Sequence, residues 1–483
     1  MVNNYGMTSK KLLFTEDEIN SLFGNETAED ESSQENFSRF LKYYFRTYIF
    51  NSIQAKTQIQ LLVGYKGIGK SAVFRKLQEE LDLRKEIFIS ITPSDINQPE
   101  EGNNMAEMEK LWRYGLKRCI TEKVYGKYKD LFNIFKKIFE KKIVDMGEEE
   151  INFSLKFIAE KKTTILIDDI DKEWTGSIGI IHRTSSMINA IRKLAQENEN
   201  LYFKISLRTD AYYQYRKSDE STDKVEQYVL WLKWTDAELL AMLAKRIITY
   251  FGGSISNQEL SKLVENKSEL LEIFNYVFEK SYDGEGKWED IYIYDLLTRI
   301  IRKRPRDLVK ICRLAGRKAF EHNKNLIGTN ELSQIFDEYS QSRLQDTFLE
   351  YRSELRDIDA LLQNMKPTSQ EKKKKKKNLF VYTNDELDKK IQNIMLRHRF
   401  YLYKGSGKEQ VAEASIHELK FFMYKINFLL AIKNNNGEII EKYFEEQRYL
   451  MDEDADYGFK WEIHRAFHWA LNPGNNAHDS LGT

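Results

Sequence analysis

Cysteine is scarce in this sequence, since Cys119 and Cys312 are the only two among 483 residues. They lie far apart along the chain, in segments with a helical pattern. The sequence therefore offers neither a disulfide framework nor the spacing of metal ligands. We expect both residues to be buried thiols in a reducing cytoplasm.

An excess of charge of either sign is also missing, because 75 lysines and arginines balance 75 aspartates and glutamates. Such a chain has no overall field that attracts nucleic acid or an acidic membrane, so a nucleic-acid contact requires a local patch. The 41% apolar and 13% aromatic content is enough to fill hydrophobic cores. A globular protein of two or three compact units is expected at this length.

Long apolar runs are absent as well. Nowhere do eighteen uncharged apolar residues follow one another, and the first residues, MVNNYGMTSKKLLFTEDE, lack the apolar core of a signal peptide. These absences predict a soluble cytoplasmic protein with no membrane partner.

Short apolar segments alternate with helical patterns in the first half of the chain, after an aromatic helix predicted over about 37–52. The predicted strands are QIQLLVG, EIFISI, TTILIDD and LYFKISLR, and the predicted helices between them cover 71–83, 105–124 and 178–197. This alternation is typical of a parallel sheet with helices on both faces.

After Trp234 the pattern becomes helical only, which predicts a helical lid. Six consecutive lysines at 372–377 repel one another and indicate a solvated linker. Beyond them, Thr383 and Glu386 form a capping box, and NNNG at 434–437 is a hairpin signal. Helices followed by a small hairpin suggest a winged-helix module.

The predicted division of the chain has six segments. They are an N-terminal extension and helix at 1–52, an α/β core at 53–235, the helical lid at 236–345, a helix and lysine-rich linker at 346–378, the winged-helix-like domain at 379–475 and a tail at 476–483.

The most informative segment is GYKGIGKS at 64–71, which matches G-x-x-x-x-G-K-[ST] between a predicted strand and a predicted helix. Its glycines let the backbone turn N–H groups inward around a phosphate, and the helix adds the positive end of its dipole. Lys70 is expected to span the β- and γ-phosphates, and the Ser71 hydroxyl to bind Mg²⁺. The nucleotide-binding residues predicted in this loop are Gly64, Gly67, Ile68, Gly69, Lys70, Ser71 and Ala72.

With this loop, the predicted fold class is α/β: a P-loop NTPase core with a parallel sheet, followed by a helical lid and a C-terminal α+β winged-helix-like domain. A phosphate loop needs a second magnesium anchor on a neighbouring strand, and TTILIDD supplies Asp168 at its end. Asp169 is predicted to orient or deprotonate the attacking water. Asp171 either caps the next helix, fixes the strand end or touches the metal site.

Three arginines are candidates for contact with the nucleotide. Arg208 ends the strand LYFKISLR, where it either senses the γ-phosphate or pairs with Asp210 or Asp171 to hold the loop. Arg304 and Arg306 flank Pro305 and either reach the nucleotide from the lid or belong to a solvated helix start, with Asp307 near the helix dipole. The predicted catalytic residues are Lys70, Asp168, Asp169 and Arg208.

Two aromatic clusters have weaker claims. Tyr212, Tyr213 and Tyr215 precede basic residues and either stack on bases or are ordinary half-buried loop residues. His464 and His468 have a spacing that permits metal binding on a predicted helix, but their aromatic neighbours favour packing.

The phosphate loop, IDDID, SLRTD, WTDAELLAMLAKRI and RPRDL follow one another in an order that resembles bacterial AAA+-like ATPases allied to the STAND and KAP groups. The resemblance covers roughly residues 55–325. The chain looks most similar to a poorly characterised branch labelled P-loop or DNA-repair ATPase, whose members end with a phrase similar to WEIHRAFHWAL.

This resemblance implies an ATP-driven switch that uses ATP and Mg²⁺ and controls homo-oligomerisation or a protein effector encoded nearby. Anti-phage defence is an implied setting. The chain departs from standard AAA+ motors because its strand ends in Asp-Asp rather than Asp-Glu, which favours slow hydrolysis over continuous motor activity. The alternative is a DNA-binding or DNA-repair-associated ATPase in which the C-terminal domain or the lysine run grips DNA.

Overall fold

The computed structural model describes most of the chain, and its residues fold into two compact units. We call residues 46–233 the sheet unit, and we call residues 1–45, 234–403 and 411–483 the helical unit. The described residues are 5–26, 34–96, 104–128, 146–171, 174, 177–218, 223–284, 290–375, 378–403, 411–435, 438–447, 450 and 458–473.

Two helices of the helical unit come first in the chain: α1 (Glu16–Phe23) and α2 (Gln34–Tyr43). The next helix, α3 (Tyr48–Ile53), belongs to the sheet unit. The single aromatic helix predicted over 37–52 is therefore wrong. Residues 44–47 between α2 and α3 are not helical, and Thr47 precedes α3 with an extended backbone at φ −72° and ψ 163°.

The rest of the sheet unit alternates strands and helices, as the sequence predicts. Its elements are β1 (Ile59–Gly64), α4 (Lys70–Leu83), β2 (Ile87–Ile91), α5 (Met105–Lys127), α6 (Glu148–Ile158), β3 (Thr163–Ile167), α7 (Ile178–Glu197), β4 (Leu201–Arg208), α8 (Thr209–Ser218), α9 (Asp223–Glu226) and β5 (Val229–Trp231).

The five strands form one parallel sheet in the order β2-β3-β4-β1-β5. All residues of β1 and β3 are buried, which explains why both strands are largely apolar. The register pairs Gly64 of β1 with Arg208 of β4, and Ile167 of β3 with Ile205 of β4. Because the strands are parallel, their carboxyl ends meet at one edge of the sheet.

One strand, β5, was not predicted from the sequence. The edge strand β5 covers only three partly buried residues, so it has neither the length nor the pattern of the other strands. It pairs with β1 through Leu61 and Val229 and places Leu232 beside the end of β1, where the Leu232 amide donates to the Val63 carbonyl at 2.8 Å.

A lysine lies inside the sheet unit, on the central strand β4. Lys204 is 4% exposed, and its Nζ donates to the carbonyl oxygens of Ala55 and Thr57 at 3.0 Å each and to Oε1 of Gln60. Three acceptors match the three donors of an ammonium group. Burial, together with the nearby charge of Lys162, lowers the pKa of Lys204 to about 7.

This lowered pKa predicts a pH dependence of stability. Between about pH 7 and the ordinary lysine pKa of 10.5, the unfolded chain binds more protons at this residue than the folded chain. The free energy of unfolding contributed by Lys204 is therefore expected to rise with pH above about 7, and Lys204→Met is expected to flatten that rise. Urea unfolding at several pH values between about pH 7 and pH 9 measures this rise in the free energy of unfolding. The exposed Lys156, changed to Met, is the matched control and should keep the parent slope.

The first part of the helical unit after the sheet confirms the predicted helices. Its helices are α10 (Asp236–Tyr250), α11 (Asn257–Glu265), α12 (Lys267–Phe274), α13 (Ile293–Ile300), α14 (Pro305–Glu321), α15 (Thr329–Tyr351) and α16 (Ile358–Gln363). The expectation of helices alone is wrong in one place, because β6 (Ser281–Tyr282) and β7 (Ile291–Tyr292) form a short antiparallel pair.

Segments from both ends of the chain complete the core of these helices. A Cβ on Gly316 of α14 would lie 3.2 Å from Cγ1 of Ile19 and 3.3 Å from Phe14, so this glycine permits the close approach of the N-terminal segment. At the other end, the rings of Trp469 and Phe336 lie 4.5 Å apart between centroids. The six-segment division stays a prediction, but its first segment and its fifth both contribute to this one core.

The remaining elements are α17 (Ser369–Lys374), β8 (Val381–Tyr382), α18 (Asn384–Met395), β9 (Tyr401–Tyr403), β10 (Val411–Glu413), α19 (Ile416–Lys425), β11 (Leu429–Asn435), β12 (Glu438–Lys442), β13 (Lys460–Ile463) and α20 (His468–Leu471). Four strands form an antiparallel sheet in the order β12-β11-β13-β8. The predicted hairpin is confirmed by the pairing of Asn435 with Glu438, although residues 436–437 lie outside the described part of the chain.

The capping box of Thr383 and Glu386 is confirmed at the start of α18, with hydrogen bonds of 3.1 and 3.3 Å. The winged-helix assignment stays a prediction. Every side chain of α19 is at least partly buried, which leaves this helix little surface for DNA. The first lysines of the 372–377 run occupy the end of α17, so this part of the predicted linker is helical, while residues 376–377 lie outside the described residues.

Candidate nucleotide-binding site

The 64–71 loop connects the buried strand β1 to α4, as its motif predicts. Gly67 and Gly69 have positive φ angles of 78° and 103°, a conformation that residues with a Cβ rarely adopt. A Cβ on Gly64 would lie 2.8 Å from Cγ2 of Ile68 and 3.3 Å from the Leu232 carbonyl, so only glycine fits there without a shift. The loop therefore depends on three glycines for two different reasons.

Helix α4 begins at Lys70, one residue earlier than predicted, with Gly69 as its N-cap. Ser71 and Ala72 are partly buried in its first turn. The amides of this turn point out of the helix start, where they can bind an anion. The Nζ of Lys70 lies over the loop and donates to the carbonyl oxygens of Gly64 at 2.9 Å and Tyr65 at 3.4 Å.

Asp168 follows β3 at the same edge of the sheet. Its amide donates to the Ile91 carbonyl at 3.1 Å, and its Oδ1 accepts hydrogen bonds from the Asp169 amide at 3.0 Å and from the Ser206 hydroxyl. No described residue donates to Oδ2 of Asp168. One carboxylate oxygen is thus fixed by the protein while the other is available to a cation.

Asp169 has a left-handed backbone, with φ of 56°. Aspartate tolerates this region better than most residues with a Cβ, but it is still uncommon there. The conformation turns the chain sharply after β3, and Asp171 then returns to the end of β4, where its Oδ2 accepts a hydrogen bond from the Arg208 amide. The structure therefore favours the strand-fixing role that the sequence left open for Asp171.

Arg208 pairs with Asp210, as one of the two sequence interpretations expects. Its Nε donates to Oδ1 of Asp210 at 3.0 Å, and its Nη2 donates to Oδ2 at 2.8 Å. Whether Arg208 also senses a γ-phosphate stays a prediction.

These charged groups act on one another. Burial lowers the pKa of Lys70, and the carboxylates of Asp171 and Asp168 oppose that change while the charge of Arg208 adds to it. Burial likewise raises the pKa of Asp171, against the opposing charges of Lys70 and Arg208. The structure therefore brings Lys70, Asp168, Asp171 and Arg208 together around the phosphate loop.

The residues present fit a nucleotide with its magnesium ion. Ser71 and Asp168 offer two oxygen ligands, and Mg²⁺ takes its other ligands from phosphates and water. Among the described residues, no three His, Cys, Asp or Glu side chains are grouped to hold a metal, so a metal centre of such side chains is not found there.

Ser206 is the residue of this site that the sequence analysis missed. It is 1% exposed, and its hydroxyl orients the Asp168 carboxylate. Its role depends on the register, because Ile167 at the end of β3 pairs with Ile205 of β4, which brings the following residues, Asp168 and Ser206, together. The register, however, is not readable from one sequence.

The sheet order, the loop geometry and the position of Asp168 agree with the predicted fold class. The sheet unit has the P-loop NTPase fold.

Comparisons with known proteins add relatives but no family, since no family model matches the sequence. The "Putative transposon gamma-delta 80.3 kDa protein" of Escherichia coli strain K12 is 24% identical over 385 residues, which are 68% of this chain and 51% of that protein. The chain thus spans about half the length of this curated relative.

Three solved structures show a loose likeness to this chain. The ORC2 protein of Aeropyrum pernix, in ADPNP and ADP complexes, is 10% identical with a TM-score of 0.39 and covers 84% of each chain. Cdc6p from Pyrobaculum aerophilum is 12% identical with a TM-score of 0.30, over 94% of this chain and 97% of that one. The Thermotoga maritima RuvB Holliday junction branch migration motor is 11% identical with a TM-score of 0.30, over 69% and 81%.

The two predicted lid arginines belong to the helical unit. Arg304 is 2% exposed, and its Nη1 lies 3.3 Å from Oε2 of Glu350. Nε of Arg306 donates to the carbonyl oxygen of Glu26 at 3.1 Å. Contact of either residue with a nucleotide stays a prediction.

The start of α14 is not the solvated helix end that the sequence offered as the alternative. Asp307 is 1% exposed and pairs with Nε of Arg302 at 2.8 Å and with Nη1 of Arg343 at 2.6 Å. Burial alone would raise the pKa of Asp307, but the charges of Arg302 and Arg343 outweigh burial and hold it well below its usual range. This buried cluster is a second charged feature of the chain, in the helical unit.

The weaker candidates are packed residues. Tyr212 and Tyr215 are 2% and 1% exposed, so they do not present faces for stacking on bases. His464 lies between β13 and a turn of 3₁₀ helix rather than on an α-helix, and its Nε2 is 3.0 Å from the Tyr443 hydroxyl. The His468 ring stacks on Phe380 at 4.0 Å between centroids, which supports the packing interpretation of both histidines.

No helix among the described residues is long and apolar enough to cross a membrane.

Proposed function

We propose that this chain is an ATPase of the AAA+-like type that binds Mg·ATP through Lys70, Ser71 and Asp168. The observation that carries the proposal is the meeting of the glycine loop with Asp168 and Arg208 at one edge of a five-stranded parallel sheet. Loop, carboxylate and guanidinium come from three different strands, so their convergence is not a property of any single motif.

The parts have separate roles in the proposed site. Backbone amides of the loop and of the first turn of α4 bind the phosphate oxygens, and Lys70 exchanges the carbonyl oxygens of Gly64 and Tyr65 for the β- and γ-phosphates. Ser71 and the available oxygen of Asp168 would hold Mg²⁺, whose charge would offset that of the phosphate groups. Ser206 keeps Asp168 oriented for that task.

Hydrolysis is the second part of the proposal. Asp169 directly follows Asp168, the proposed metal ligand, and has a left-handed backbone. It is therefore the candidate to orient or deprotonate the attacking water. Its side chain is one methylene shorter than the glutamate expected in related ATPases, and therefore a slow rate is proposed. Arg208 is the candidate sensor of the γ-phosphate.

A slow ATPase suits a switch better than a motor. ATP binding and hydrolysis switch the protein between two states in the cytoplasm. These states differ in homo-oligomerisation or in the docking of a protein effector. Anti-phage defence is the proposed setting, and the name of the E. coli relative, which refers to a transposon, is compatible with a role near mobile DNA. The DNA-binding alternative stays a prediction.

The roles of the two carboxylates can be separated by experiment. Asp168→Asn removes the charge that holds Mg²⁺, so we expect it to abolish the gain in ATP affinity that Mg²⁺ gives the parent protein. Asp169→Asn should keep that gain and lower hydrolysis by about 100-fold, within the range of a lost general base. Fluorescent-nucleotide titration with and without Mg²⁺, together with phosphate release, measures both. A Mg²⁺ effect that survives in Asp168→Asn would contradict the assignment.

A further inference from the structure

The guanidinium of Arg208 is already held by a carboxylate of its own chain. The two hydrogen bonds to Asp210, of 3.0 and 2.8 Å, form a bidentate pair. The Arg208 side chain is 17% exposed and that of Asp210 is 4% exposed. The pair is therefore weakly screened by solvent, unlike an ordinary surface ion pair.

This pair lies within the electrostatic field of the phosphate loop. The register places Arg208 beside Gly64, the first residue of that loop, and the charges of Arg208 and Asp210 shift the pKa of Lys70 in opposite directions. Asp168 and Asp171 complete the cluster, so two cations face three carboxylates. An ionised Asp210 thus cancels positive charge that an incoming phosphate would otherwise meet.

We propose that Asp210 competes with the terminal phosphate for Arg208, and that this competition sets the preference of the site for nucleoside triphosphate over diphosphate. The inference rests on the proposed function, since it requires a nucleotide in the 64–71 loop. A diphosphate leaves the pair of Arg208 and Asp210 intact. A triphosphate adds a group that must take Arg208 from Asp210 or accept the repulsion of its carboxylate.

The position of Asp210 links this exchange to the conformation of helix α8. Asp210 is the second residue of α8, and Tyr212 and Tyr215 anchor the same helix in the interior of the sheet unit. Loss of the guanidinium removes two hydrogen bonds from this buried carboxylate, which changes the interactions at the start of α8. The identity of the bound nucleotide is therefore linked to the conformation of this helix.

The test compares ADP with a non-hydrolysable ATP analogue, both with Mg²⁺, on the full chain by isothermal titration calorimetry. Asp210→Asn keeps the shape of the side chain and removes its charge. We expect the triphosphate analogue to bind about tenfold more tightly to this variant than to the parent, a moderate coupling between two sites. The ADP affinity should change by less than about twofold, because the diphosphate does not engage Arg208.

Arg208 provides the control. Arg208→Gln should remove most of the preference for triphosphate while ADP still binds, and it should cancel the gain when combined with Asp210→Asn. An equal gain for both nucleotides, or a gain that persists without Arg208, would overturn the inference. If Asp210→Asn fails to fold, an unchanged triphosphate preference in Arg208→Gln still contradicts the competition.

Failure of this inference can be told apart from failure of the proposed function. A parent protein that binds neither nucleotide refutes the ATP site itself. A parent that binds both nucleotides, with variants that lack the selective change, refutes only the competition between Asp210 and phosphate.

Discussion

Lys70→Ala is expected to weaken ATP binding by at least about 100-fold, because several charge-assisted hydrogen bonds to phosphate, each worth about 1.5–3 kcal/mol, are lost together. The Nζ of Lys70 donates hydrogen bonds to two carbonyl oxygens of the loop, at 2.9 and 3.4 Å, and so lies within the predicted phosphate site. Burial lowers the pKa of Lys70, and the negative charge of a bound triphosphate would raise it again. Calorimetric titration with Mg·ATP measures the effect.

The same loop contains a control for this prediction. Lys66 is exposed, whereas Lys70 begins the helix that follows the loop. Lys66→Ala removes an equal charge from the same loop, and we expect it to reduce ATP affinity by less than about threefold. Equal losses in the two variants would show that only the net charge of the loop matters. ATP binding of Lys70→Ala with parent affinity would remove the basis of the proposed site.

Asp307→Ala is expected to lower the free energy of unfolding by about 3–5 kcal/mol, the usual result of removing one partner of a buried ion pair. The loss is large because Arg302, Arg343 and Arg304 would then lie at 3% exposure or less without the Asp307 carboxylate that offsets their charges. Urea unfolding of the full chain, followed by circular dichroism, measures the change.

Asp346 is the matched control, because it pairs with the same arginine. Its carboxylate lies 2.7 Å from Nη2 of Arg343, but its side chain is 47% exposed. Solvent screens such a pair, so Asp346→Ala should cost less than about 1 kcal/mol. Comparable losses for Asp307→Ala and Asp346→Ala would contradict the importance of burial.

The lowered pKa of Asp307 adds a pH dependence to this cluster. Below about pH 4 the unfolded chain takes up a proton at this carboxyl while the folded chain does not, so stability falls on acidification. Above that pH the stabilisation contributed by the Asp307 carboxylate is fully present. The same unfolding measurement on Asp307→Ala should lose this acid-dependent part.

Most of the sheet unit was predictable because its signals are local. Continuous apolar runs gave β1 to β4, and the glycine loop fixed the connection from β1 to α4. The predictions failed where local signals are weak or are overridden. The three residues of β5 are too few for a pattern. The aromatic stretch over 37–52 is interrupted by the non-helical residues 44–47, which no apolar periodicity reveals.

The site was predictable only in part for a related reason. Lys70, Ser71 and Asp168 carry motif signals, and the structure places Lys70 and Asp168 together. Ser206 carries none, because serine in an apolar strand has meaning only once the register sets it beside Asp168. The choice between Asp210 and a phosphate as the resting partner of Arg208 was likewise left open by the sequence.

The amino-acid sequence by itself determined the phosphate loop, because glycines at 64, 67 and 69 act through the backbone conformation of neighbouring residues. It also determined the succession of strands and helices, through the period of apolar side chains. Only the tertiary structure decided which distant charges meet: Arg208 with Asp210 beside Lys70, and Asp307 with Arg302 and Arg343. The physical reason is that such pairings depend on strand register and helix packing, which arise from the burial of many side chains at once.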